Sequence, residues 1–368
     1  MKKSLVLLGA WLFTPLLFTT LGLSALVLTP KAYAIQQQSP VSHIAFGSCS
    51  HQDKDIPILD SVIADDPEVF LFLGDNIYGD TEDMAVLQSK YQKLGAKQRI
   101  QTLRSNADTL AMWDDHDYGE NDAGKDYPKK EASRQLMLDF WGEPEDSARR
   151  TRPDGIYTAK FYGEGEQRIH VIMPDLRWNR DDLKHVTREQ YANERAPNNL
   201  GPYVPHDDKS KSMLGEAQWQ WLEQQLQKPA RIKIIASSLQ LLADFTGWES
   251  WANFPGDRQR LFDLIKKHQV NGVILVSGDT HWGEVSYYDN DLDYPLWEVT
   301  SSGLTQEWKQ VSPNQHRIGD YTANVNYGSI TIDWDSENPL ISLSLKDVDG
   351  KVLNEHRFRL STLEPYKE

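Results

Sequence analysis

An α/β fold is predicted by three features of the sequence: apolar runs of strand length, stretches of helical periodicity between them, and a C-terminal stretch of strict alternation. "HIAFGS" (His43–Ser48) reads as a strand and "VFLFL" (Val69–Leu73) as a strand buried on both faces. Met84, Leu87, Tyr91 and Leu94 then recur at helical spacing. Further strands are expected at "TLAMW" (Thr109–Trp113), "RIHVIM" (Arg168–Met173), "RIKIIA" (Arg231–Ala236) and "GVILV" (Gly272–Val276). Helices separate the last three: "GEAQWQWLEQQL" places Trp219, Leu222 and Leu226 on one face, and "DRQRLFDLIKKH" places Leu261, Leu264 and His268. Arg180 to Ser212 is polar and irregular, as functional rims and covers are. "SITIDWD" and "ISLSLKDVDGKVLNEHRFRL" alternate apolar and polar residues, which predicts antiparallel strands at the C-terminus. "DVDG" (Asp347–Gly350) looks like the start of a calcium loop but lacks the later ligands, and a hairpin turn explains it.

Residues 1–34 have the layout of an export signal: Lys2 and Lys3, a long apolar run, and Ala32-Tyr33-Ala34 before polar "IQQQSP". The run is longer than the usual signal core, so an uncleaved anchor is the alternative. No twin arginine precedes it, which favours Sec-type export to a periplasmic or secreted location. A short linker, residues 35–42, leads into one expected domain, residues 43–368. The net charge of −15 repels nucleic acid and anionic membranes, so no nucleic-acid-binding surface is expected and no membrane partner beyond the N-terminal segment. A phosphate-bearing substrate would need a local positive centre. Twelve tryptophans and a composition unlike that of disordered chains point to a well-packed protein, expected to be a monomer.

The chemically active residue types sit at the carboxyl ends of the expected strands, where α/β sheets place their ligands. Cys49 follows the first strand; Asp75 and Tyr78 follow the second; Asp114, Asp115, His116 and Asn121 follow the third. Asp175, Arg177 and Arg180 come after "RIHVIM", and Asp279 and His281 after "GVILVS". Each has a plain structural explanation alone: a turn, a solvated acidic loop, a satisfied histidine, an inert buried thiol. Gathered at one rim, carboxylates repel unless a cation neutralises them, and carboxylate, imidazole, thiolate and phenolate together suit a metal site. No G-x-S-x-G, H-E-x-x-H, Walker or G-x-G-x-x-G motif is present. Cys49 and His51 could make a Cys-His protease only in an unusual arrangement.

From about His43 to about Val299 the sequence resembles the alkaline phosphatase D (PhoD-like) branch of the calcineurin-type metallophosphatases. The resemblance rests on "FGSC", "LGDNIYGD", "WDDHDYGEND", "DLRWNR", the "LGEAQWQWLEQQL" helix and "VSGDTHWGE", in that order. It implies a four-layer α/β/β/α sandwich around Fe(3+) with Ca(2+) beside it. Cys49, Asp75 and Tyr78 match the family's iron ligands, with the aspartate bridging; Asp279 and His281 also fall to the metals. Asp114-Asp115-His116 stands where related enzymes carry Gly-Asn-His. Asp115 is thereby expected as a metal ligand, His116 as the residue facing the leaving group, and Asn121 as a metal or phosphate contact. Arg177 matches an arginine whose fork suits phosphate oxygens, with a salt bridge to Asp175 as the alternative. The extra β domain and the twin-arginine signal of larger members have no counterpart in this sequence.

The resemblance implies an exported, metal-dependent phosphoric ester hydrolase, an alkaline phosphatase and/or phosphodiesterase, in which metal-bound water or hydroxide attacks phosphorus. The alternative from another class is a non-catalytic exported metal- or glycan-binding protein. It expects Trp248 and Trp251 at the surface and has no use for His116.

Overall fold

The computed structural model describes residues 40–243, 246–289 and 292–365. The expected signal or anchor segment, residues 1–34, lies outside the described residues, as does most of the linker.

In chain order the strands are β1 (His43–Gly47), β2 (Val69–Leu73), β3 (Asp108–Met112), β4 (Thr158–Tyr162), β5 (Ile169–Met173), β6 (Lys184–His185), β7 (Tyr203–Val204), β8 (Ile232–Ala236), β9 (Val273–Ser277), β10 (Gly283–Tyr288), β11 (Leu296–Ser301), β12 (Arg317–Thr322), β13 (Tyr327–Asp333), β14 (Leu340–Lys346) and β15 (Val352–Arg359). They build a six-stranded sheet of order β15-β14-β13-β1-β2-β3, a seven-stranded sheet of order β12-β10-β11-β9-β8-β5-β4, and the small β6-β7 pair. In the first sheet β1, β2 and β3 run parallel and the C-terminal strands antiparallel. In the second, β5, β8, β9 and β11 run parallel. "DVDG" is the turn between β14 and β15, closed by the Gly350 amide donating to the Asp347 carbonyl.

Side-chain alternation shows how the sheets are layered. On β1 and β2, Ile44, Phe46, Val69, Leu71 and Leu73 join the core shared with Ile169, Val171, Ile234 and Val276 of the second sheet. Ala45, Phe70 and Phe72 point the other way, into a core with Leu87, Tyr91, Ile100 and Met137 of the covering helices. "VFLFL" is therefore apolar throughout because both of its faces are covered. Trp219, Leu222 and Leu226 of the helix Glu216–Leu226, with Leu261, Phe262 and Ile265 of the helix Pro255–Lys267, pack with the second sheet's core. The result is helix, sheet, sheet, helix, the expected four layers.

Candidate active site

The carboxyl ends of the parallel strands converge because two Gly-Asp pairs let their loops touch. Gly74 has φ +98, and a Cβ there would lie 2.6 Å from the Asp114 Cβ, so no other residue lets β2 and β3 end so close together. Gly278 abuts the Ser48 side chain in the same way, joining the end of β9 to the end of β1 across the two sheets. The residues that follow are held in left-handed backbone, at φ 63 for Cys49, 51 for Asp75, 71 for Asp279 and 62 for His281. Four non-glycine residues in this region at one place store strain that the surrounding packing must hold.

A cavity of about 220 Å³ opens above them, lined by Asp75, Asp115, His116, Glu249, Asp279 and His281. Ligand-type atoms lie within 4.8 Å of one another in four groups: Cys49, Asp75 and His281; Asp75, Asp115 and His116; Asp114, Asp115 and Asp279; and Asp115, Asp122 and Glu249. Cys49 is fully buried, its Sγ 3.1 Å from the Ser302 hydroxyl and 3.5 Å from Asp75 Oδ2. The Tyr78 hydroxyl lies 3.0 Å from His281 Nε2. One carboxylate oxygen of each of Asp75, Asp114 and Asp115 is buried without a hydrogen-bond partner among the described residues. Buried, unsatisfied anionic oxygens are costly, and this donor set fits a bound cation.

The electrostatics say the same. Burial, then Cys49 and neighbouring carboxylates, pushes the Asp75 carboxyl well above its usual range. Burial, then Asp114, Asp115 and Glu249, does likewise to Asp279. Burial pushes the Cys49 thiol up to about 12 and lowers His281 to about 4. Asp115 is the exception: burial is outweighed by Arg177 and His116, which bring it to about 2. Without positive charge in the cavity, several of these groups would rather be neutral.

His116 stands at the cavity wall, with Nδ1 2.6 Å from Asp80 Oδ1. Burial alone would lower this imidazole, but the Asp80 hydrogen bond and the Asp115 carboxylate lift it to about 9. Asn121 is exposed at the mouth.

Arg177 is where expectation and structure part. It has no exposed surface and is not on the cavity wall. Its Nε donates to Asp114 Oδ1 at 2.6 Å and its Nη1 to Glu249 Oε2 at 2.6 Å. Two of its nitrogens thus brace carboxylates beneath the cavity, while Nη2 has no hydrogen-bond partner among the described residues. The salt bridge to Asp175 is not formed either: Asp175 Oδ1 accepts the backbone N–H groups of Arg177 and Trp178 and the Trp113 indole N–H.

Several contributors escape a motif-based reading. Asp117 accepts the backbone N–H groups of Asp75 and Asp114 and the Asn76 side chain, locking two loops together. Asp80 and Asp122 close the motifs "LGDNIYGD" and "WDDHDYGEND" without having been singled out, and Glu249 comes from a loop outside every motif. The lining also includes aromatic residues: Tyr203, Trp248, Trp282 and Trp308. Trp308 is 37 % exposed, forms a T-shaped pair with Trp248 at 5.6 Å, and donates its backbone N–H to the His281 carbonyl. Trp251 is fully buried, contrary to the binding-protein alternative.

Two packed sheets whose strand ends bring acids and imidazoles to one cavity, with a buried thiol behind Asp75 and His281, define a metallophosphatase sandwich. The fold comparisons agree. One solved structure, described as that of PhoD, superposes with TM-score 0.62 at 17% identity over 88% of this chain and 69% of that one. A dimetal phosphatase from Danio rerio gives 0.50 at 13% identity over 88% and 100%. The family model for PhoD-like phosphatases matches residues 44–338, and the chain belongs to that family. Alkaline phosphatase D of Bacillus subtilis (strain 168) is 25% identical over 222 residues, which take in 53% of this chain and 34% of that protein.

Proposed function

We propose that the protein is an exported, metal-dependent phosphoric ester hydrolase. The observation that carries the reading is the cavity itself: orphaned buried carboxylate oxygens on its floor and an imidazole–carboxylate pair, His116 with Asp80, at its wall. Cys49, Asp75, Tyr78 and His281 together offer thiolate, carboxylate, phenolate and imidazole, a set that suits Fe(3+). Asp115, Asp122, Asp279 and Glu249 offer only carboxylate oxygen, as Ca(2+) prefers. When bound, such ions supply Lewis-acid stabilisation of phosphoryl oxygens and a nucleophile from water at neutral pH.

The chain's own side chains do the rest. Asp80 fixes the His116 ring through Nδ1, which leaves Nε2 to pass a proton to the departing ester oxygen. Asn121, exposed on the cavity lining, would meet a phosphoryl oxygen from the solvent side. Arg177 holds Asp114 and Glu249 in place from below. The tryptophans of the lining, Trp248, Trp282 and Trp308, limit water around a bound ester. The chain acts as a single domain from residue 43 onward, and as a monomer.

Export rests on the layout of residues 1–34. Among the described residues no helix is long and apolar enough to cross a membrane. The test is hydrolysis of p-nitrophenyl phosphate and bis-p-nitrophenyl phosphate, each with and without chelator. Turnover that chelator removes and added ions restore is expected, and the preferred ester separates monoesterase from diesterase. Iron-loaded protein that turns over neither ester would overturn the reading.

A further inference from the structure

The opposite end of the second sheet carries a feature that the hydrolase reading does not use. Where β5, β8 and β9 begin, a cleft of about 500 Å³ is lined by Arg168, Lys228, Arg231, Lys233 and His268, with Glu166 as its one acid. This is a concentration of cations in a chain of net charge −15. Lys233 is its anomaly. It sits in β8 between Ile232 and Ile234, is 5 % exposed, and its ammonium has no hydrogen-bond or ion-pair partner among the described residues. Burial lowers its pKa to about 8. His170, paired in register with Lys233 on the neighbouring strand, offers no countercharge: burial, then Lys228 and Lys233, drives it to about 3.

The other cations are only partly neutralised. Arg231 pairs with Glu166 and lies 3.9 Å from Glu364, while its Nε has no partner. Arg168 lies over the Phe161 ring and its Nε is likewise unpaired. His268 is taken by Glu223. Lys228 and His268 follow the C-terminal ends of helices, where cations offset the helix dipole. That account does not reach Lys233, Arg168 or Arg231, which lie in or just before strands. An ammonium on a largely buried strand residue, without a partner and open only to the cleft, is a ready contact for an anion entering there.

We propose that this cleft binds a phosphate-type dianion, with the Lys233 ammonium at its floor and Lys228 and Arg231 at its sides. The site is separate from the catalytic cavity, and the proposal does not depend on the hydrolase reading. Free orthophosphate and the phosphate headgroup of a lipid present the same chemistry.

The test is calorimetric titration of the full chain with potassium orthophosphate, beside the Lys233→Met and Lys228→Gln variants. Methionine keeps the apolar stem and sheds the charge, so the fold should persist and melt no lower than wild type in phosphate-free buffer. Wild type should show a binding event that does not compete with p-nitrophenyl phosphate. Lys233→Met should weaken that event at least tenfold and Lys228→Gln several-fold, with kcat and KM unchanged. Vesicles with and without phosphatidic acid separate the sources: Lys233-dependent uptake onto the acidic vesicles alone assigns a headgroup. Equal phosphate and vesicle binding by wild type and Lys233→Met, or a lower melting temperature for Lys233→Met, would overturn the proposal.

Discussion

At the scale of single residues, Cys49 shows how the fold gives a side chain its chemistry. It is the only cysteine in the chain, fully buried, in left-handed backbone, with its sulfur against Asp75 and Ser302. Burial holds the thiol protonated to about 12, so only an adjacent cation makes it a thiolate. Thiolate and phenolate both donate charge into Fe(3+), which colours a protein. Purified wild type should therefore absorb in the visible, and Cys49→Ser and Tyr78→Phe should each shift or bleach the band and lower the iron measured by mass spectrometry. A Cys49→Ala protein with full colour and iron would return the thiol to the packed core. His116 is tested by kinetics: His116→Ala should lose about 10²–10⁴-fold in kcat. Asp80→Asn, which still orients the ring but removes the charge, should fall between that variant and wild type. Both should lower the melting temperature modestly at neutral pH, His116→Ala more, since the His116 charge that Asp80 and Asp115 favour is present only in the native state.

Between the loops that follow β3, β5 and β8, one buried side chain spans two carboxylates. Arg177 joins Asp114, after β3, to Glu249 in the loop after β8, with no water access. Lysine presents one ammonium and cannot span both carboxylates. Arg177→Lys should therefore destabilise by about 3–5 kcal/mol, the cost of leaving a buried charge without its partner. Thermal melting reads that loss, while KM in the folded fraction stays near wild type. A stable variant with a raised KM would restore the substrate-contact role.

Much of this architecture was legible. The parallel strands β1, β2, β3, β5, β8 and β9 fell within a residue of expectation, whereas β10 and the parallel β11 were not foreseen; Cys49, Asp75, Asp115, His116, Asp279 and His281 do meet. What escaped has physical reasons. β4 and β12 are edge strands, and β12 reads "RIGDYT" with three of its residues exposed, so no apolar run marks it. The helix Lys130–Trp141 buries Ser133 and Arg134 beside Met137 and Leu138, which blurs its apolar stripe. The destination of Arg177 was hidden because a guanidinium fork looks the same in sequence whether it faces a ligand or two buried carboxylates. Glu249, outside every motif, became visible only when the loops closed.

For the molecule as a whole, stability should fall on the acid side through His170. It is fully buried on β5, stacked on Phe161 at 4.0 Å, and held neutral down to about 3. Unfolded, it would titrate near ~6.5. Between those values the unfolded chain binds a proton that the native one refuses, so this contribution is complete above pH ~6.5 and is lost as pH falls toward 3. His170→Phe keeps the stacked ring without the titration. It should narrow the stability gap between pH 8 and pH 5 by up to about 2 kcal/mol, read by denaturant unfolding at the two pH values. An unchanged gap would show that the acid limb belongs to other groups. The candidate centre has a second global consequence, because its donors come from both sheets: Cys49, Asp75 and Asp115 follow strands of one, and Asp279 and His281 follow a strand of the other. An ion held among them is a rivet through the seam between two halves that the chain must first bring together across more than two hundred residues. Its grip is then part of the folding equilibrium, worth about 2.7 kcal/mol when free ion stands a hundredfold above its dissociation constant. The melting point becomes a gauge of ion supply, and a chain short of its ions is also a chain closer to coming apart.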